Sequence, residues 1–244
     1  RGVFVIAATP FAEDGALDLA SIDSLVDHYR ARGVDGMTIL GVMGEAPKLT
    51  PEESRAAVAR FIARAGGAPV IVGVSSPSTA ALADLAAFSM DKGAAGVMVA
   101  PIPSLSTEDT VARYYASVCE ALGPDAPVCF QDYPQLTGVR VSAATILKLT
   151  ADHPQIVMLK HEDGPGLAKL SAVRAGAPRM SILCGNGGLY LPQELQRGAD
   201  GAMTGFAYPE MLTGVVGRHL SGDADGAEDL FDAWLPLIRH EQQP

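Results

Sequence analysis

Residues 50–74, TPEESRAAVARFIARAGGAPVIVGV, decide how the chain folds. Thr50 is a capping residue, Pro51 takes the first helical position, and Glu52 and Glu53 place acid in the first turn. The spacing predicts a helix over Glu52–Ala65, and the β-branched run Val70–Val74, entered through Pro69, predicts a strand. Working outward in both directions, the same alternation repeats. Strands are expected at Val3–Ala8, Gly36–Leu40, Val70–Val74, Gly96–Ala100, Val128–Gln131, Ile156–Lys160, Ser181–Cys184 and Gly201–Thr204. Amphipathic helices fill the gaps, at Ser21–Arg32, Glu52–Ala65, Thr79–Asp91, Thr107–Ala121, Ala143–Thr150, Leu167–Ala175, Leu189–Gln196 and Pro209–Leu220. Ser21 is the expected cap of the first of them. Glycine commonly separates a helix from the next strand, as at Arg32-Gly33, Lys92-Gly93 and Arg197-Gly198.

Repeated strand–crossover–strand units require parallel pairing, and eight such units close an α/β (β/α)₈ TIM barrel. An open doubly wound sheet is the alternative, because periodicity does not show closure. The barrel is expected to occupy residues 1–222. A C-terminal helical region follows over 223–244, where Ala227, Leu230, Phe231, Trp234, Leu235 and Ile238 of a helix at Ala224–His240 share one apolar face that needs a partner.

The chain has 244 residues, 18 basic and 28 acidic, for a net charge of −10. That balance, with no dense basic stretch, opposes nucleic-acid binding. The longest apolar runs fall short of the ~18 residues of a membrane span, so neither nucleic acid nor membrane is an expected partner. Cys119, Cys129 and Cys184 are widely separated and form no CxxC, and they are expected to be buried free thiols of a cytoplasmic protein. No targeting leader is expected, because the sequence opens on a strand-like run.

In a barrel, chemistry sits at the C-terminal ends of the strands. Strand six runs Ile156-Val157-Met158-Leu159 and then Lys160-His161-Glu162-Asp163-Gly164. Alternation puts Ile156, Met158 and Lys160 on one face and Val157, Leu159 and His161 on the other. If the first face is interior, Lys160 stands in the barrel mouth above an apolar layer that favours a neutral amine, able to form a Schiff base with a carbonyl. A snorkelling strand-end lysine is the plainer alternative. Of the five lysines, Lys92, Lys148 and Lys169 fall on or beside helices and are expected to be solvated, which leaves Lys48 and Lys160 near strand-end loops.

Strand two ends in Gly41-Val42-Met43-Gly44-Glu45, a tight loop whose N–H groups can face a carboxylate. Glu45 is read as holding that loop, with an acid or base role as the alternative. Strand five ends in Gln131-Asp132-Tyr133. Gln131 hydrogen-bonds but does not titrate, whereas Asp132 and Tyr133 do. The glycines Gly185, Gly187 and Gly188 after strand seven suit tight turns, or alternatively a phosphate-sugar ligand. No histidine pair has metal-ligand spacing, no GxSxG or GxxxxGK[ST] occurs, and no metal or cofactor is expected.

Together these pieces resemble the dihydrodipicolinate synthase / N-acetylneuraminate lyase family of class I, Schiff-base lyases. The resemblance runs through Thr9-Pro10-Phe11, Gly41-x-x-Gly44-Glu45 with Leu49, Ala68-Pro69-Val70-Ile71-Val72-Gly73, Ala100-Pro101, Pro134-x-x-Thr137-Gly138, Lys160 and Gly185. It implies that Lys160 condenses with the keto group of pyruvate or another 2-keto acid, and that the chain forms a homotetramer or homodimer. It places Thr9, Val42, Met43, Gly44, Gly185 and Met203 around the substrate, with the carboxylate on the Val42–Met43 backbone. It also implies that Ala224–His240 is the first of three C-terminal helices, the rest lying beyond Pro244.

The departures are equally specific. Val42-Met43 replaces the family's Thr-Thr, Gln131 stands for the strand-five tyrosine of the proton relay, Pro103 for the relay's other tyrosine, and Leu136 for a carboxylate-binding arginine. Losing one positioned acid–base group typically costs ~10²–10⁴ in rate. The expectation is therefore a divergent lyase, aldolase, synthase or dehydratase in type, but not a true dihydrodipicolinate synthase. Gln131 would orient the substrate and Tyr133 would be a candidate acid–base, with Asp132, His161 or Glu162 as other proton carriers. The alternative is a catalytically silent barrel that binds a small carboxylic acid as sensor or assembly partner.

Overall fold

The computed structural model describes residues 1–242; Gln243 and Pro244, the end of the expected C-terminal helical region, lie outside them. Eight strands, β1 (Gly2–Ile6), β2 (Gly36–Ile39), β3 (Val70–Gly73), β4 (Gly96–Val99), β5 (Val128–Asp132), β6 (Ile156–His161), β7 (Ser181–Cys184) and β8 (Gly201–Thr204), pair in parallel with their sequence neighbours. β1 also pairs with β8, so the sheet closes into a (β/α)₈ barrel and the open doubly wound alternative is excluded.

The outer layer is α1 (Leu19–Ala31), α2 (Pro51–Ala65), α3 (Thr79–Asp91), α4 (Glu108–Leu122), a single turn α5 (Pro134–Thr137), α6 (Ala143–Asp152), α7 (Leu167–Gly176), α8 (Leu191–Gln196) and α9 (Pro209–Leu220), followed by α10 (Ala224–Glu241). Thr50 and Glu53 form a reciprocal capping box ahead of α2: the Thr50 hydroxyl accepts the Glu53 N–H at 3.2 Å, and the Glu53 carboxylate accepts the Thr50 N–H at 2.8 Å. α1 begins two residues before the expected position. Asp18, not Ser21, caps it, because the Asp18 carboxylate accepts from both Ala20 and Ser21 N–H and even the Ser21 hydroxyl donates to it.

Strand alternation splits the apolar residues into two clusters. Val3, Val5, Val72, Val97, Val99, Phe130, Leu159 and Ile182 face the helices. Phe4, Ile6, Ile71, Met98, Cys129, Leu183 and Met203, with Met158 against them, fill the barrel interior. One expectation fails here. Ile156 belongs to the outer cluster and not to the face of Met158 and Lys160, because the β5–β6 register shifts and leaves Val157 without a partner, 44% exposed, at the base of β6. Above this bulge the alternation resumes, so Met158 and Lys160 point inward.

The apolar face of α10 finds its cover within the chain. Ala227, Phe231 and Ile238 are buried, Leu230 sits against Gly214 of α9, and Trp234 packs on Phe206 and Tyr208 after β8, with ring centroids 6.1 and 5.0 Å away. No described helix is long and apolar enough to cross a membrane. All three cysteines are free and buried.

Candidate active site

Lys160 and Gln131 are register partners at the C-terminal ends of β6 and β5, both on the inner face. Two residues beyond Lys160, Glu162 returns to that face. Its Oε1 lies 3.1 Å from Lys160 Nζ, and its Oε2 accepts a hydrogen bond of 2.8 Å from Gln131 Nε2. The three side chains form one continuous polar chain, with Lys160 only 4% and Glu162 only 5% exposed. A charge pair this deep is retained only where its hydrogen-bond geometry compensates for desolvation. Gln131 supplies part of that geometry, because it holds Oε2 and leaves Oε1 toward the amine.

Gly185 after β7 makes room for the same carboxylate. A Cβ there would lie 2.2 Å from Glu162 Cγ, so any larger residue would displace the side chain. Asn186 Nδ2 donates to the Glu162 carbonyl at 2.9 Å and fixes the backbone below it. The floor under Lys160 is rich in sulfur: Cys129, Met158, Met98 and Met203 pack together, with Cys129 Sγ 4.0 Å from Met203 Sδ. Burial pushes the Cys129 thiol up to about 12, despite the nearby Lys160. Met203 is thus part of the floor.

The loop after β2 turns through a Glu45 N–H to Val42 carbonyl bond of 3.0 Å, with Glu45 at φ +52°. The Thr9 hydroxyl donates 2.6 Å to the Gly44 carbonyl and ties the first loop to the second. Among the described residues nothing accepts from the N–H groups of Val42, Met43 or Gly44, which leaves a short nest of free donors. Glu45 pairs with Lys48 at 2.5 Å on the surface, a loop-holding role. Val42 and Met43 are 49% and 48% exposed, and Met43 lies over Gly205 after β8.

Tyr133 stands at the start of α5, half-buried. Burial, and to a lesser degree the negative charge of Glu162, raise its phenol above the usual value, so it stays protonated near neutrality and can donate but not accept a proton. Leu136, one turn on, is exposed.

Asp132 and His161 are register partners that face away from the mouth. Lys169 Nζ lies 2.5 Å from Asp132 and 3.0 Å from Asp163, and His161 Nδ1 is 2.9 Å from Glu194. Lys169 is therefore not solvated as its helical position suggested, because the first turn of α7 lies across the ends of β5 and β6. Burial raises the Asp132 carboxyl above the ordinary range even though Lys169 opposes the shift. His161, Glu162 and Asp163 diverge to three different partners, so they do not converge on a cation. The alternation that located Lys160 also points to Glu162 two residues later, whereas proximity alone left Asp132, His161 and Glu162 equivalent.

Comparison with known proteins matches this architecture over its length. The Dihydrodipicolinate synthetase family profile covers residues 1–243. L-2-keto-3-deoxyarabonate dehydratase of Azospirillum brasilense is 33% identical over 251 residues, spanning 100% of this chain and 80% of its own. The crystal structure of dihydrodipicolinate synthase from Rhodopseudomonas palustris superposes with a TM-score of 0.96 at 50% identity, covering 99% of this chain and 82% of that one. YagE of E. coli K12, determined in complex with pyruvate, gives a TM-score of 0.91 at 25% identity, over 100% of this chain and 83% of its own. The chain belongs to the dihydrodipicolinate synthetase family.

Proposed function

We propose that this protein is a Schiff-base lyase, of aldolase, synthase or dehydratase type, that binds pyruvate or another 2-keto acid as an imine on Lys160. The observation that carries this reading is a lysine 4% exposed on the inner face of a barrel mouth, over an apolar floor and paired to a carboxylate. Burial at that depth is rare for lysine without a chemical reason. The imine route is the chemistry an amine at a strand end supplies to a 2-keto acid. The pyruvate complex of YagE and the keto-deoxy acid in the name of the Azospirillum dehydratase support the same substrate class.

The substrate carboxylate rests on the free N–H groups of Val42, Met43 and Gly44, held in place by the Thr9–Gly44 bond. Tyr133, a neutral phenol at the rim, donates a hydrogen bond to a developing oxyanion or leaving hydroxyl. On this reading the protein departs from the lysine-biosynthetic synthase, because Gln131, Pro103, Leu136 and Val42-Met43 occupy the positions where the resemblance expects that enzyme's relay and carboxylate contacts. The same reading carries a barrel over residues 1–222 with a helical region beyond it, no resident cofactor, and a cytoplasmic homotetramer or homodimer.

The test is a turnover panel of 2-keto acids, alone and with aldehydes, run beside Lys160→Ala. Wild-type protein is expected to cleave, condense or dehydrate at least one of them, and the variant to lose on the order of 10⁴ in rate or more. Equal turnover in the variant would overturn the proposal.

A further inference from the structure

We infer that Glu162 is the acid–base group of this site, the carboxylate that moves protons at the imine of Lys160; the inference rests on the imine reading above. Among the described residues, no other ionisable side chain is paired with Lys160 Nζ. The neighbours that could compete are engaged elsewhere. Asp132 and Asp163 meet Lys169, His161 meets Glu194 behind the barrel wall, and Tyr133 remains a phenol that gives a proton but does not take one. Glu162 is fixed from three sides. Gln131 holds one oxygen, Gly185 leaves room for the methylenes, and the second oxygen rests 3.1 Å from the nucleophilic nitrogen.

The steps balance with this one carboxylate. Proton transfer from the Lys160 ammonium to Glu162 yields a free amine and a carboxylic acid together. The amine lone pair attacks C2 of the keto acid, and a proton passes from nitrogen to the former carbonyl oxygen to give the carbinolamine. Glu162 then donates its proton to that hydroxyl, the C–O bond breaks, and water leaves with the bonding pair as the iminium forms. The resulting carboxylate removes a proton from C3, and the C–H pair moves into the C3–C2 bond while the iminium π pair returns to nitrogen, giving the enamine. C3 is two bonds from Nζ, so an oxygen beside Nζ reaches it without a second base. The acid so formed can return its proton to C3 or deliver it to a leaving hydroxyl or an aldehyde oxygen.

Pyruvate in D₂O separates this inference from the reading on which it rests. Imine formation is followed by borohydride trapping on Lys160, and proton removal by loss of the C3 hydrogens in proton NMR, neither of which needs a second substrate. Glu162→Gln is expected still to trap pyruvate on Lys160 at long incubation while C3 exchange falls by ~10²–10⁴. Glu162→Asp, which keeps a carboxylate one methylene shorter, is expected to exchange at an intermediate rate. Gly185→Ala, which displaces Glu162 without removing its charge, is expected to slow exchange as well. Thermal melts of all three identify any variant that fails to fold, and those that fold decide the matter.

Exchange within about twofold of wild type in a folded Glu162→Gln protein would overturn the inference and leave the imine reading intact. So would a wild-type protein that traps pyruvate but exchanges no C3 hydrogen. A wild-type protein that traps no keto acid defeats the imine reading, and this inference falls with it.

Discussion

At the scale of single residues, the site depends on which face each strand-end side chain takes. Lys160, Gln131 and Glu162 share the inner face, while Asp132 and His161, one residue away in each case, are carried into the helix layer. Tyr133 sits between these worlds, and its raised phenol pKa sets the sign of a testable effect. A phenol whose pKa lies above the usual value is protonated throughout pH 7–9. Tyr133→Phe should therefore slow turnover by the same factor at pH 7 and pH 9, measured as a ratio of kcat to wild type. A ratio that closes toward one at pH 9 would show that the phenol ionises in that range and is not a standing donor.

Lys160 was legible in the sequence because an apolar run ended on it and the ordered family motifs flanked it. Glu162 was legible only as one of three neighbours. What distinguishes it, the Gln131 hydrogen bond and the space at Gly185, comes from β5 and from the loop after β7, 31 and 23 residues away in sequence. Contacts of that separation leave no local pattern.

At the scale of elements, the helix starts that the sequence announces with a complete motif are the ones the structure keeps. Thr50-Pro51-Glu52-Glu53 builds its capping box as expected. Thr50→Ala should cost ~1 kcal/mol of stability, read as a lower urea midpoint with an unchanged m value. No change in the midpoint would mean the end of α2 is held by packing alone. Ser21 misled because Asp18 offers two carboxylate oxygens to the same free N–H groups and wins the cap.

The face of Ile156 misled for a different reason. A strict period of two holds only for an unbroken ladder, and the register shift opposite Val128 and Cys129 inserts one extra residue at Val157. Because the irregularity precedes Met158, the half of β6 that holds Lys160 keeps the alternation that made it readable.

At the scale of the whole molecule, closure of the sheet turns eight separate strand ends into one mouth. Periodicity supplied the count of eight, and only the β1–β8 pairing supplied the ring. That ring brings the β2 loop, the β5–β6 pair and Gly185 around a single buried amine, and it joins Thr9 to Gly44 across 35 residues of sequence. α10 packs on α9 and the loop after β8, so the apolar face noted in the sequence is matched by residues of the same chain.

On the imine reading, this ring presents Lys160 to a keto acid. That role is tested most directly by reducing the protein with borohydride in the presence of pyruvate and of larger 2-keto acids, and then mapping the adduct by peptide mass spectrometry. A single modified lysine, Lys160, is expected with at least one of these acids, and no adduct in Lys160→Ala. Modification at another lysine, or at none across the panel, would contradict it.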